Sequence, residues 1–161
     1  MLKKVIVSFL ALLMITGCGC EKKEDPTDNR IYLSSKYYNN GGVYLDIKSE
    51  TLDELENDNY VLYTYNPYCS FEIPCDEIFK VFMEKYKVSF LSIPFSEFKK
   101  TKFYESVKYG PTVLIVSKGN IIAYLDANSN FDLAKYQKAK EFETWIKKYV
   151  FVVENKGGNM D

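Results

Sequence analysis

The chain contains no histidine among its 161 residues. Catalytic triads of serine, histidine and an acid are therefore excluded, as are cysteine–histidine pairs. Metal sites built on imidazole are excluded for the same reason. The side chains left for chemistry are cysteine, carboxylate, lysine and tyrosine. Only four cysteines are present, and they are Cys18, Cys20, Cys69 and Cys75.

An excess of charge of either sign is also missing, because 21 lysines and arginines face 22 aspartates and glutamates. Nucleic-acid-binding proteins carry a concentrated basic face, so we expect no nucleic-acid partner. Neither GxxxxGK[ST] nor GxGxxG occurs in the chain, so we expect no nucleotide partner either. Two cysteines without histidine offer too few metal ligands. The sequence thus predicts no metal and no other cofactor.

Residues 1–17 have the pattern of a bacterial signal peptide. Lys3 and Lys4 precede a mainly apolar run of eleven residues, 5–15, which is short for a bilayer span but typical of a signal-peptide core. The following Ile15-Thr16-Gly17-Cys18 resembles the lipobox of bacterial lipoproteins. The resemblance implies cleavage before Cys18 and a diacylglyceryl group, such as one carrying palmitate, on its sulfur. An uncleaved anchor helix is the alternative.

Residues 18–30 are interpreted as a lipidated N-terminus and flexible tether. The segment is rich in charge and lacks apolar periodicity, so it cannot bury enough surface to fold. Cys20 lies within this segment, and three roles are open for it. It is an incidental thiol, a second acylation site or half of an intermolecular disulfide. We expect a single domain over residues 31–153 and a flexible tail over 154–161. The predicted location is outside the cytoplasm, anchored by lipid to the cell membrane.

The folded part shows strand and helix patterns in the order β-α-β-α-β-α-β-β-α. Thr51 and Glu54 fit a capping box, which predicts a short helix there. Ile78, Phe79, Phe82 and Tyr86 predict an amphipathic helix after Cys75. The other predicted elements are strands at 43–47, 61–65, 88–93, 112–116 and 121–125, and helices at 98–107 and 142–150. This order favours an α/β domain with a mixed sheet.

Several segments in this order resemble thioredoxin. A strand ends just before an aromatic residue and a cysteine, a proline–cysteine pair opens a helix, and a later strand begins at a proline. A glycine-containing turn then closes a hairpin. The segments are Tyr68-Cys69, Pro74-Cys75, Tyr109-Gly110-Pro111-Thr112 and Lys118-Gly119.

The resemblance implies a thioredoxin-like three-layer α/β/α fold, whose mixed central sheet ends in an antiparallel hairpin and a C-terminal helix. It further implies thiol–disulfide exchange with protein thiols or disulfides as substrates. Cys69 would be the attacking thiol and Cys75 the resolving thiol, although their roles could be exchanged. Pro111, if cis, would place backbone groups beside the sulfurs, where a substrate segment can dock.

Four departures from thioredoxin affect the predicted site. Five residues rather than two separate the cysteines, and Pro74 prevents a single helix from joining them. A disulfide therefore needs a looped 70–73 segment. Tyr63 stands at the position of the usual buried acid, and a tyrosine cannot carry that proton at ordinary pH. Tyr68 replaces the usual tryptophan, and the acidic Asp76 and Glu77 follow Cys75 and oppose the effect of the helix N-terminus on the thiolate.

Three functions remain open from the sequence. The first is a redox-active thiol–disulfide protein that uses Cys69 and Cys75. The second is a non-catalytic binding or accessory protein with the thioredoxin fold, in which the cysteine pair is a structural disulfide. The third is an unrelated α/β lipoprotein with buried thiols.

Overall fold

The computed structural model describes residues 28–38, 40–66 and 73–152. Its centre is a mixed five-stranded sheet. The strands are β1 (Tyr44–Asp46), β2 (Asn59–Tyr65), β3 (Phe90–Pro94), β4 (Thr112–Ser117) and β5 (Asn120–Tyr124). Their order in the sheet is β1-β3-β2-β4-β5, in which β1, β3 and β2 are parallel and β4 and β5 are antiparallel to their neighbours.

Helices cover both faces of this sheet. The helices are α1 (Thr51–Glu54), α2 (Cys75–Tyr86), α3 (Phe95–Phe98), α4 (Leu133–Gln137) and α5 (Ala139–Ile146), with 3-10 helices at Ser35–Tyr37 and Lys102–Glu105. The core of one face joins α2, α4 and α5, and the core of the other joins α1, α3 and the second 3-10 helix. The predicted thioredoxin-like three-layer α/β/α fold, with its mixed sheet, final hairpin and C-terminal helix, is confirmed.

The α2 helix packs on the sheet through the apolar stripe that the sequence predicts. Phe79 and Phe82 are buried against Phe142 of α5, with ring centroids 4.5 and 5.7 Å apart. Aromatic side chains of this size contribute most of the apolar burial between a helix and a sheet. This packing holds α2 and α5 together on one face of the sheet.

The predicted hairpin between β4 and β5 is confirmed. Its turn consists of Lys118 and Gly119, whose φ angles are +48° and +71°. Positive φ at both central residues is the requirement of a type I′ turn, and glycine meets it without steric cost.

Two local predictions in the middle of the chain are wrong. The predicted capping box at Thr51 does not form, because the chain already turns at Lys48, whose carbonyl accepts the Thr51 N–H at 3.1 Å. The predicted 98–107 helix is interrupted at Thr101, which is extended and whose Oγ1 donates to the Phe98 carbonyl at 2.8 Å. A hydroxyl that bonds a helix carbonyl in this way competes with helical hydrogen bonds.

The C-terminal region also differs from its prediction. The α5 helix ends at Ile146 rather than running to Val150, and a short preceding helix, α4, is absent from the predicted order. Val150 is nevertheless buried, because it forms a parallel bridge with Ile31. The predicted tail, 154–161, lies outside the described residues. Within the described ranges, no helix has the length and apolar character needed to cross a bilayer.

Candidate functional site

The candidate site lies at the edge of the sheet where β2 ends and α2 begins. Pro74 is the N-cap of α2, with φ −55° and ψ 131°, and its carbonyl accepts the Glu77 N–H at 3.1 Å. Pro74 therefore immediately precedes the first helical position. Cys75 takes that position, where the backbone N–H groups have no partner within the helix and favour negative charge.

The sulfur of Cys75 is buried and lies beside a tyrosine hydroxyl. Cys75 is 1% exposed, and the Tyr63 hydroxyl oxygen lies 3.4 Å from its Sγ. Burial is the main cause that raises the pKa of Tyr63 above its ordinary value, and the charge of the Cys75 thiolate adds to it. Tyr63 therefore stays protonated at physiological pH, and it is the donor whenever Cys75 is a thiolate.

Tyr63 stands where the sequence comparison with thioredoxin places a buried acid. The structure shows that this position does face Cys75. A tyrosine there can donate a hydrogen bond to the sulfur, but it cannot accept the thiol proton at neutral pH. The Tyr63 side chain therefore offers the Cys75 sulfur a hydrogen bond and not proton transfer.

A second tyrosine, which sequence reasoning missed, holds the first turn of α2 against the sheet. The Tyr44 hydroxyl donates to the Asp76 carbonyl at 2.9 Å, and its ring lies 5.3 Å from the Tyr63 ring. Burial raises the pKa of Tyr44, so this donor also keeps its proton. The alternation of residues along β1 could have pointed to Tyr44, since every second residue of a sheet covered on both faces is directed at one helical layer.

Pro111 lies at the same edge of the sheet. The Gly110–Pro111 peptide bond is cis, as the resemblance to thioredoxin implies. Thr112 is paired with Thr64 in the antiparallel register, so Pro111 lies opposite the end of β2. Gly110 has no room for a side chain, because a Cβ there would lie 2.5 Å from the Phe95 ring.

The other predicted site residues lie outside the described residues. These are Cys69, the lipidation site Cys18 and the tether residue Cys20. The structure thus describes Cys75 and Pro111 and brings both to one edge of the sheet. Within the described ranges, no three cysteine, aspartate or glutamate side chains are grouped to hold a metal ion.

A cavity of about 390 Å³ opens beside Cys75. It is bounded by residues from β1, β2, β3 and the start of α2, which meet at this edge. Its lining consists of Tyr44, Asp46, Tyr63, Tyr65, Asn66, Pro74, Asp76 and Ser92. The Ser92 hydroxyl donates a hydrogen bond to the Asp46 carboxylate.

Comparison with known proteins finds similarity in structure but not in sequence. No family model matches the chain, and no curated protein matches it. Among solved structures, thioredoxin F from spinach chloroplast (long form) is 16% identical with a TM-score of 0.48, and the match covers 73% of this chain and 94% of that one.

Two further thioredoxins give similar values. The Schistosoma mansoni protein is 20% identical with a TM-score of 0.47, over 68% of this chain and 97% of that one. The oxidised Plasmodium falciparum protein is 18% identical with a TM-score of 0.46, over 67% and 97% of the two chains. The fold assignment rests on the strand order and directions of this chain rather than on these similarities.

Proposed function

We propose that the protein carries out thiol–disulfide exchange through Cys69 and Cys75, as a lipid-anchored thioredoxin-like protein outside the cytoplasm. The observation that supports this most is the environment of Cys75. Its sulfur lies at the first residue of α2, within 3.4 Å of a hydroxyl that stays protonated. The free N–H groups of the helix and the Tyr63 hydroxyl both stabilise a thiolate at this position.

The exchange proceeds in two displacement steps. The Cys69 thiolate attacks one sulfur of a substrate disulfide, which forms a mixed disulfide and releases the other substrate sulfur as a thiolate. The Cys75 thiolate then attacks the Cys69 sulfur and releases the second substrate thiolate. The products are a Cys69–Cys75 disulfide and a reduced substrate, so two electrons pass to the substrate. The same steps in reverse oxidise a substrate dithiol.

The burial of Cys75 supports its assignment as the resolving thiol. At 1% exposure its sulfur is inaccessible to a disulfide of another protein, so its partner in exchange has to come from within the chain. The exchanged assignment, with Cys75 as the attacking thiol, is disfavoured for this reason. An attacking thiol must be accessible as well as ionised.

The same burial also favours a second candidate function. A Cys75 that is enclosed and whose sulfur lies beside a tyrosine hydroxyl would suit a structural disulfide with Cys69. In that case the protein binds or assists another molecule without exchanging electrons. Structural disulfides of exported proteins have potentials below about −300 mV, whereas catalytic ones are more easily reduced.

The experiment is to trap thiols and measure the potential of the Cys69–Cys75 pair in the full chain. Exchange predicts a disulfide with a potential above about −300 mV, and a Cys75→Ser variant that accumulates a mixed disulfide with a model substrate. A Cys69→Ser variant should form none, whereas a Cys20→Ser variant should behave as the wild type. A potential below that value selects the structural disulfide, and failure to form any disulfide contradicts both functions.

A further inference from the structure

The cavity beside Cys75 lies where a ligand is expected in a sheet of this type. Binding sites of α/β proteins lie beyond the carboxyl ends of parallel strands. Asp46 is the last residue of β1. Tyr65 is the last residue of β2, and Asn66 follows it. The volume of about 390 Å³ falls within the usual range for sites that take a small group.

One wall of the cavity consists of tyrosine rings. The centroid of Tyr63 lies 5.3 Å from that of Tyr44 and 6.2 Å from that of Tyr65, so the three rings form a continuous aromatic surface. The face of an aromatic ring carries partial negative charge and attracts cations. This wall therefore favours a positively charged group that also has an apolar stem.

The polar side of the cavity carries two carboxylates without cationic partners. Asp46 and Asp76 form no ion pair with any lysine or arginine in the described part of the chain. Asp46 instead accepts a hydrogen bond from the buried Ser92, which leaves its negative charge uncompensated. By contrast, Glu143 on α5 contacts two lysines.

A neighbouring cavity of about 360 Å³ extends this negative surface along α2. It shares Tyr44 and Asp76 with the first cavity and adds Glu77, while its Lys80 is 4.0 Å from Glu84 and is paired with it. The N-terminus of α2 contributes about half a positive charge. Three carboxylates, from Asp46, Asp76 and Glu77, exceed that charge, so the surface beside Cys75 is negative overall.

We propose that the cavity binds a cationic side chain, a guanidinium or ammonium group on its aliphatic stem, of a polypeptide substrate. The stem and the flat face of the group pack on the tyrosine rings. The carboxylates of Asp46 and Asp76 accept hydrogen bonds from its N–H groups. That the cationic group belongs to a polypeptide rests on the proposed function, in which Cys75, next to the cavity, is the resolving cysteine. Binding of the cation itself does not require exchange.

A titration without any thiol chemistry tests the site directly. The full chain, in a non-ionic detergent, is titrated with N-acetyl-arginine amide and with N-acetyl-citrulline amide, and the tyrosine signals are followed by NMR. Citrulline has the same shape as arginine without its charge. We expect arginine amide to bind about three- to tenfold more tightly, given the usual strength of exposed ion pairs and cation–π contacts. Equal binding of the two probes, or binding of neither, would overturn the proposal.

A matched pair of variants identifies the carboxylate responsible. Asp46→Asn removes the charge while keeping the size of the side chain, and it should reduce the preference for arginine over citrulline. Asp53→Asn makes the same change on α1, on the opposite face of the sheet. It should leave the preference at the wild-type value. An undiminished preference in Asp46→Asn would contradict the assignment.

Exchange kinetics then test whether the cation belongs to a substrate. Two disulfide-linked peptides are compared that differ only in arginine or citrulline next to the reactive cysteine. The proposal expects about a threefold faster reaction for the arginine peptide, and equal rates would contradict a substrate source. If the chain exchanges with neither peptide, the proposed function fails, but the titration still decides whether the cation site exists.

Discussion

The contact between Tyr63 and Cys75 determines what the cysteine can do. A carboxylate at this position could take the thiol proton and so activate the resolving sulfur. The Tyr63 hydroxyl, 3.4 Å from Sγ, can only stabilise the thiolate once it has formed. Under the proposed exchange, the contribution of Tyr63 to the resolving step is therefore a hydrogen bond and not proton transfer.

Replacing Tyr63 with phenylalanine should slow the resolving step. The change removes one hydrogen bond to the thiolate, a loss of about 1 kcal/mol, which corresponds to roughly a fivefold lower rate. The measurement is the rate at which a preformed mixed disulfide on Cys69 is released, followed by mass spectrometry after an acid quench. Because the measurement starts from the mixed disulfide, the proposed first step, attack by Cys69, does not contribute to the rate.

Tyr60 offers a matched control for this variant. It lies on the same strand, it is 1% exposed, and its ring is directed at the opposite face of the sheet. Its hydroxyl has no hydrogen-bond partner in the part of the chain that the structure describes. A Tyr60→Phe variant should therefore release the mixed disulfide at the wild-type rate. An equal slowing in both variants would show that Tyr63 acts through packing and not through its hydroxyl.

The elements of the fold were largely predictable from the sequence, because periodic burial determines them. The stripe of α2 and the continuous run of β-forming residues along β4 both appear in the residue pattern. The positions at which predicted helices are interrupted were less predictable. The chain extends at Thr101 because a single side chain bonds the Phe98 carbonyl, and a helical period gives no sign of such a bond.

The candidate site was predictable only in part. The proline and cysteine motifs locate Cys75 and Pro111 at the ends of elements. The cavity, however, depends on the parallel register that places Asp46 beside Ser92 and Ser92 beside Tyr63. These residues are far apart in sequence, and no local pattern relates them. Only the order of the strands in the sheet brings these residues together.

At the level of elements, Glu143 joins α5 to α2. Its carboxylate accepts hydrogen bonds from Tyr86 at 2.5 Å and from Lys85 and Lys147, both at 3.0 Å. Burial alone would raise the pKa of Glu143, but these three hydrogen bonds outweigh burial and hold it at about 2. The lysine ends are partly exposed, so solvent screens much of their effect.

The lowered pKa predicts an acid-dependent loss of stability. A carboxylate whose pKa is lower in the folded state stabilises the fold above its ordinary pKa, 4.5 here, and this contribution is lost as the pH falls towards about 2. Glu143→Gln should therefore lower the free energy of unfolding by about 1 kcal/mol at pH 7 and by much less at pH 2. Urea unfolding at several pH values measures the difference.

Glu141, on the same helix, supplies the control. It is exposed and forms no ion pair with the described residues. Glu141→Gln should leave the unfolding free energy within about 0.5 kcal/mol of the wild type at every pH, as is usual for surface changes. A Glu143→Gln effect that does not change with pH would show that the charge of Glu143 is not its cause.

At the scale of the whole molecule, the N-terminal end of the described chain is held against the rest of the domain at Ile31. The Ile31 N–H donates to the Tyr149 carbonyl at 2.8 Å, and its carbonyl accepts the Phe151 N–H at 2.9 Å. Arg30 lies over the Phe151 ring, 4.0 Å from its centroid. If Cys18 carries the lipid, the chain between Cys18 and Arg30 would allow the domain to stand at most about 40 Å from the bilayer.

Lipidation at Cys18 is the prediction on which the location of the molecule depends. Two acyl chains provide stable membrane attachment, because each buried methylene contributes about 0.8 kcal/mol. In a bacterial host grown with labelled palmitate, the wild type should incorporate the label and begin at Cys18 after processing. Cys18→Ser should lose the label entirely and keep residues 1–17, since the lipobox pattern requires the cysteine.

Cys20→Ser makes the same substitution two residues away and should be labelled as the wild type. Label that persists in Cys18→Ser and disappears in Cys20→Ser would move the anchor to Cys20, and an unlabelled wild type would show that the protein is not a lipoprotein.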